Sequence, residues 1–221
     1  MELIEAIKSR KSIRGYKPTP VPKEILTEIL EIATRAPSGL NSQPWEFTVL
    51  GGKVLDDLRQ ALEEQFRTGA AINPDFPIEA LTGVYRKRQV ELGIALYQLM
   101  GIAREDTERK NQWFLKQLRA LDAPNVIIVS MDEEVSGFQA TFSLGAVTQT
   151  IALAAVGFGL GTCIQAALVY YPKVVKQIAG IPESKKLAMG IAIGYPEWDF
   201  PANKLQSTRE PLADMVTWRG V

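Results

Sequence analysis

The sequence predicts a single domain that mixes helices with short buried strands, and three observations carry that expectation. Apolar residues at helical spacing alternate with brief apolar runs bounded by Gly or Pro. The 221 residues, 46% apolar and 23% charged, have the composition of an ordinary globular protein. No repeat, low-complexity run or composition shift marks a linker, so residues 1–221 form one domain. Twenty-five basic residues balance 25 acidic ones, so no net field draws the chain to nucleic acid or to an anionic membrane, and any basic site must be local. Histidine is absent and Cys163 is the single cysteine, which excludes an internal disulfide, zinc sites and His-dependent triads. Only carboxylates remain as metal ligands, and no metal site is predicted. The acidic, quickly polar start Met1-Glu2-Leu3-Ile4-Glu5 is unlike a signal peptide and predicts a cytoplasmic protein.

Taken in order, residues 2–9 place Leu3, Ile4 and Ile7 on one face of a short helix. Its end delivers Ser9-Arg10-Lys11-Ser12-Ile13-Arg14, a cationic stretch suited to an anion. If the helix continues, Arg10 and Arg14 share one face with the Ser12 hydroxyl between them. By itself such a run reads first as a solvated face, and only the rest of the chain favours the anion site. After Pro18 and Pro20 break the chain, Pro22 opens a helix with Ile25, Leu26, Ile29, Leu30 and Ala33 on one stripe, stopped by Pro37. Residues 36–45 form a polar loop, bounded by prolines and rich in small hydrogen-bonding groups, that can wrap the edge of a planar heterocycle or simply connect elements.

Residues 46–50 read as a strand, 53–66 as a helix, and 79–101 as the longest periodic run, with Arg86, Lys87 and Arg88 on its solvated side. A helix over 105–121 precedes the fully apolar strand 126–129, whose lack of alternation predicts a central position. Residues 139–159 are nearly uncharged and rich in small residues, which predicts a helix buried all round, packed closely on a neighbour or a second subunit and not spanning a membrane. The glycines at 157, 159 and 161 follow a helix, so they do not match the dinucleotide fingerprint. Pro172 opens a helix capped by Gly180, residues 187–193 form another buried strand, and the apolar C-terminal stretch is mostly extended.

Four separated motifs, Arg10-Lys11-Ser12-Ile13-Arg14, Ala36-Pro37-Ser38-Gly39-Leu40-Asn41-Ser42-Gln43-Pro44-Trp45, Gly159-Leu160-Gly161-Thr162, and Gly194-Tyr195-Pro196 followed by Arg209-Glu210-Pro211-Leu212, together resemble the FMN-dependent nitroreductase family over nearly the whole chain. The resemblance implies an α+β fold: a three-layer α/β/α sandwich with a central mixed, mainly antiparallel sheet and an extended C-terminal tail packed on the partner subunit of a homodimer. It implies FMN at the subunit interface, with Arg10, Ser12 and Arg209 on the phosphate and ribityl chain and Arg14 beside N1 and O2 of the flavin. Lys11 fits either the phosphate or the ring edge. Pro37 and Ser38 would approach the ring from the partner subunit, with Asn41 near its polar edge. Ile164, Gln165 and Ala166 would lie by the central ring, with a backbone N–H toward N5. Two guanidinium groups and a hydroxyl match the charge and acceptor oxygens of a phosphate monoester.

The implied activity is ping-pong hydride transfer from NADH or NADPH to a small-molecule acceptor, a nitroaromatic, quinone or similar electron-poor compound. No side-chain acid or base is identified, and without histidine the rate should show no imidazole titration. Alternatives on the same fold are an ene-reductase, a reductive dehalogenase, a flavin-fragmenting enzyme or a non-catalytic flavin-binding protein. Cys163, alone on an apolar segment, is expected to face the core.

Overall fold

The computed structural model describes residues 2–135 and 137–221. Its centre is a four-stranded antiparallel sheet in the order β1 (Glu46–Gly51), β2 (Asn125–Asp132), β4 (Lys185–Gly194), β3 (Gly161–Gln165). The apolar run at 126–129 is the middle of β2, a central strand. It carries no polar alternation because both its faces are covered. Val126 and Ile128 join one core, with α3 (Gly52–Arg67), α5 (Thr107–Leu118) and α7 (Pro172–Ala179). Ile127, Val129 and Met131 join the other, with α2 (Lys23–Ala33) and α6 (Phe138–Gly157). This is the expected α/β/α sandwich. A register shift opposite Val129 and Ser130 lets β4 send Leu187 and later Ala192 to the same core, where strict alternation would separate them. Gly180 ends α7 in the left-handed region at φ 65°, as expected of a glycine cap.

Four expectations are corrected. The first helix, α1 (Leu3–Ser9), stops at Arg10, which is extended at φ −55° and ψ 124°. The cations therefore do not share a helix face. Ser12 instead forms an isolated parallel bridge to Thr162 on the free edge of β3, beside four strands that pair antiparallel throughout. The long helix α6 is buried on one side only: Leu144, Val147, Ile151 and Ala155 are inside, whereas Phe138 is 84% and Phe142 69% exposed. It is long and apolar enough to cross a membrane, but its inner face is committed to α2 and the sheet. A helix with small residues on every side has no polar stripe to reveal which face has a partner within the chain. The periodic run at 79–101 becomes α4 (Gly83–Leu99), which contains no buried residue. Finally, the C-terminal stretch is only partly extended, with short 3-10 turns at Pro201–Lys204 and Leu212–Asp214. Its first part packs on this chain's own N-terminal segment, with Phe200 against Gly15.

Beyond α5, Ala120, Leu121 and Asp122 all lie in the left-handed region, at φ 55°, 58° and 59°. Three such L-residues in a row cost about 1–2 kcal/mol each, so the turn needs support. Ala120 and Leu121 are fully buried. Arg59 donates to the carbonyls of Arg119 and Ala123, at 3.0 and 2.5 Å. Asp122 accepts from Lys116 Nζ at 2.5 Å and Arg119 Nε at 2.7 Å, and Arg119 also reaches Glu63 at 3.1 Å. Burial alone would raise the Asp122 pKa, but the two cationic donors outweigh it and hold the carboxyl below the usual range. A carboxyl depressed in the native state stabilises it above the unfolded-state pKa, and that stability is lost as pH falls through the native one. Asp122→Asn should therefore cost on the order of 1 kcal/mol at neutral pH, allowing for screening of a side chain 42% exposed. In urea melts the deficit should shrink to nothing as pH drops below the aspartate range; a deficit constant with pH would refute the role of the charge.

Candidate active site

The ends of the domain converge on β3. Ile13 N donates to Thr162 O at 2.9 Å, Lys17 N to Tyr195 O at 2.9 Å, and Glu197 N to Gly15 O at 3.0 Å. An extended segment places alternate residues on one side. Ile13 turns into the fold, only 2% exposed, while Ser12 and Arg14 line a cavity whose other wall is Cys163, Ile164, Gln165 and Ala166. Phe114, Gln117 and Leu121 close its far side, so the strained turn after α5 shapes this cavity. Arg14 Nη1 donates to Ser12 O at 3.2 Å, which folds the guanidinium back along its own segment.

The cavity wall holds an unpaired acceptor. Gln165 is 6% exposed and its Nε2 donates to Gln117 O at 3.2 Å. This bond fixes the carboxamide orientation and leaves Oε1 as the one buried side-chain polar atom without a partner among the described residues. A buried acceptor without a donor is costly, and a ligand N–H is the natural partner. Beneath the cavity, burial pushes the Cys163 thiol up, against the opposing pull of Arg14, a hydrogen bond with Ser12, and Arg10. At neutral pH Cys163 is a thiol, and it belongs both to the core and to the cavity wall. Burial likewise raises the Tyr16 hydroxyl well above its ordinary value; its oxygen lies 2.8 Å from Ile13 O. Tyr16 is thus a neutral donor holding the segment, not a proton source.

The structure brings Ser12, Arg14, Ile164, Gln165 and Ala166 together around one cavity. Arg10 lies at its margin, in an adjoining hollow with Lys11, Ile13 and Gly161. Lys11 is turned onto the Asn203 carbonyl at 2.5 Å and over the Trp198 ring, 5.7 Å from its centroid. Arg209 stands elsewhere, hydrogen-bonded to Ser207 and Thr208 in a hollow beside α4. Pro37, Ser38 and Asn41 line none of these hollows. Their loop lies beside the start of α6, with Gln43 N donating to Ser38 Oγ at 3.0 Å, and Leu40 projects at 99% exposure. Arg88, expected at the surface, is half-exposed and pairs with Glu210 at 2.9 Å, tying α4 to the C-terminal segment. Sequence reasoning missed Asn203, the buried carboxamide behind Arg14, and Gln117; neither lies on a motif or a periodic stripe that would have marked it.

The nitroreductase family model matches residues 7–195. Nitroreductase NfnB of Mycolicibacterium smegmatis is 31% identical over 214 residues, covering 94% of this chain and 88% of that protein. A 4-nitrobenzoate reductase of Nocardioides sp. strain LMS-CY is 29% identical, covering 99% and 90%. The crystal structure of the FMN and NADPH-dependent nitroreductase NfnB from Sphingopyxis sp. strain HMH superposes with a TM-score of 0.96 at 30% identity, covering all of both chains. The chain belongs to the nitroreductase family.

Proposed function

We propose that the protein is an FMN-dependent NAD(P)H oxidoreductase that reduces nitroaromatic, quinone or similar electron-poor acceptors. The observation that carries the reading is the cavity at the end of β3 lined together by a permanent cation (Arg14), a hydroxyl-bearing residue (Ser12) and Gln165, whose buried Oε1 has no partner among the described residues. The relatives named for NADPH, FMN and nitroaromatics point to the same chemistry. FMN fits this donor set, because its isoalloxazine offers an N–H to an acceptor and carbonyl oxygens to a guanidinium. When bound, FMN supplies the two-electron relay between the nicotinamide and the acceptor.

The chain's own residues bind, orient and tune. Arg14 sets a fixed positive charge that favours accumulating negative charge, Ser12 donates a hydrogen bond, and Gln165 accepts one. Ile164, 38% exposed, presents an apolar surface to a ring. Arg10 and Arg209 are assigned to the phosphate, Lys11 remains a neighbour of that site, and Ala166 contributes backbone beside Gln165. Neither the Cys163 thiol nor the Tyr16 hydroxyl ionises at neutral pH, so no side chain here serves as a general base. Protons for the acceptor come from water, the reduced cofactor or a hydroxyl.

The same reading includes a homodimer. Leu3 and Ile4 on α1, Phe138 and Phe142 on α6, and an α4 with no buried residue leave large apolar side chains in solvent on three helices. A second copy covers these faces and brings Pro37, Ser38 and Asn41 to the ring. A cytoplasmic setting agrees with a single unpaired cysteine and a nicotinamide reductant.

Purified protein should be yellow, bleach on anaerobic NADPH or NADH, and regain its spectrum on addition of 4-nitrobenzoate; a colourless protein that takes up no FMN overturns the reading. Arg14→Ala should lower the potential of the bound flavin, read by spectroscopic reductive titration against a reference dye, while Arg209→Ala should lose FMN on dialysis. Unchanged potential or stoichiometric FMN retention would sink the respective assignment. Sedimentation should give twice the 24.4 kDa chain mass, and the double variant Phe138→Ser with Phe142→Ser should shift it to one chain.

A further inference from the structure

We propose that Asn203 is a positioning residue of the active site: it pins Arg14 by its main chain beside the cavity and draws Lys11 away from it, so that of these two cations Arg14 is the one that lines the cavity. The inference rests on the flavin reading of that cavity.

Asn203 is 1% exposed and its carboxamide is used to capacity. Oδ1 accepts from Arg14 N at 2.6 Å and from Gly15 N at 3.2 Å. Nδ2 donates to Gly15 O and to Glu197 O, both at 2.8 Å. A carboxamide offers two lone pairs and two N–H groups, so none is spare. Its main chain is also engaged: N donates to Phe200 O at 2.9 Å, and O accepts from Lys11 Nζ at 2.5 Å. One residue therefore acts on both cations flanking Ser12.

The effect on the site follows from where these bonds fall. Arg14 N is the atom before its Cα, so fixing N and the next amide fixes the direction in which the side chain leaves the segment. Gly15 cannot help from its own side, because a Cβ there would lie 2.2 Å from Phe200 Cγ. Without Asn203, Gly15 O retains Glu197 N, but the N–H groups of Arg14 and Gly15 lose their acceptor in a buried place. The segment must then move toward water, carrying Arg14 with it. Lysine at 11 and arginine at 14 are alike in charge, and Asn203 makes their surroundings differ, through its carboxamide at Arg14 and its main-chain carbonyl at Lys11.

A residue that only held the fold together would change stability and leave the electronic character of bound flavin untouched. The test is a cycle of Asn203→Ala, Arg14→Ala and the double variant in the FMN-loaded enzyme, with reduction potential and FMN dissociation as readouts. Asn203→Ala should lower the potential in the same direction as Arg14→Ala and raise the FMN dissociation constant about tenfold. The double variant should show no lower a potential than Arg14→Ala alone. A potential shifted by Arg14→Ala but not by Asn203→Ala overturns the positioning role and leaves the flavin reading standing. If neither variant shifts it, the tuning role of Arg14 and the positioning role of Asn203 fall together, while the bound flavin leaves the cofactor reading standing. Where Asn203→Ala yields no folded protein, amide exchange in the wild-type holoenzyme decides: the Arg14 and Gly15 amides should be protected as well as those of β3, and free exchange overturns the proposal.

Discussion

Everything at the site hangs on the seam where residues 12–17 lie between the edge of β3 and the segment after β4. The segment is held at Thr162, Tyr195, Glu197 and Asn203, all more than 140 residues away in sequence. Closing so long a loop costs only slightly more than closing a short one, because the entropy grows with the logarithm of length. A handful of buried hydrogen bonds therefore suffices. The seam also finishes the sheet: β3 would otherwise present an unpaired edge, and Ser12–Ile13 covers part of it. The contact is tight where it matters, since a Cβ on Gly161 would fall 2.3 Å from Ile13 Cγ1. The cavity is thus a by-product of how the sheet edge is sealed.

What the sequence made legible was local or periodic. The central place of β2 followed from an uninterrupted apolar run, the Gly180 cap from a glycine after a helical stripe, and the cationic segment from composition. Boundaries of α3 and α6 lay within a residue or two of the expected ones. What stayed hidden depended on partners distant in sequence. Nothing near Asn203 announces that it serves Arg14, and nothing in Ala120-Leu121-Asp122 favours three left-handed residues. That turn is imposed by Arg59, Lys116 and Arg119, which read individually as surface charges.

The helical continuation from Ser9 to Arg14 failed for a related reason. Four-residue spacing of Arg10 and Arg14 suits a helix, but it equally places both, with Ser12, on one side of an extended segment. Periodicity cannot choose between these where the stretch is too short to count turns, and the free edge of β3 supplied the hydrogen bonds that chose for it. The exposed apolar faces of α1, α4 and α6 carry a similar ambiguity. Their apolar residues are real, but exposed apolar residues state that something must be covered and not that this chain covers it.

The charge at the site has a property that follows from these residue types alone. Arginine does not deprotonate in the physiological range, the Cys163 thiol and Tyr16 hydroxyl are pushed upward, and histidine is absent. Neither the Cys163 thiol nor the Tyr16 hydroxyl takes up a charge in the window where histidine would switch. On the flavin reading, any pH dependence of cofactor affinity in that window must come from the cofactor's own phosphate, whose second ionisation lies near about pH 6. The site then strengthens its hold as the phosphate gains its second charge, and the electrostatics that tune the ring remain constant throughout. A histidine in place of Arg14 would add a second ionisation in the same window, so that the ring environment would change with pH as well.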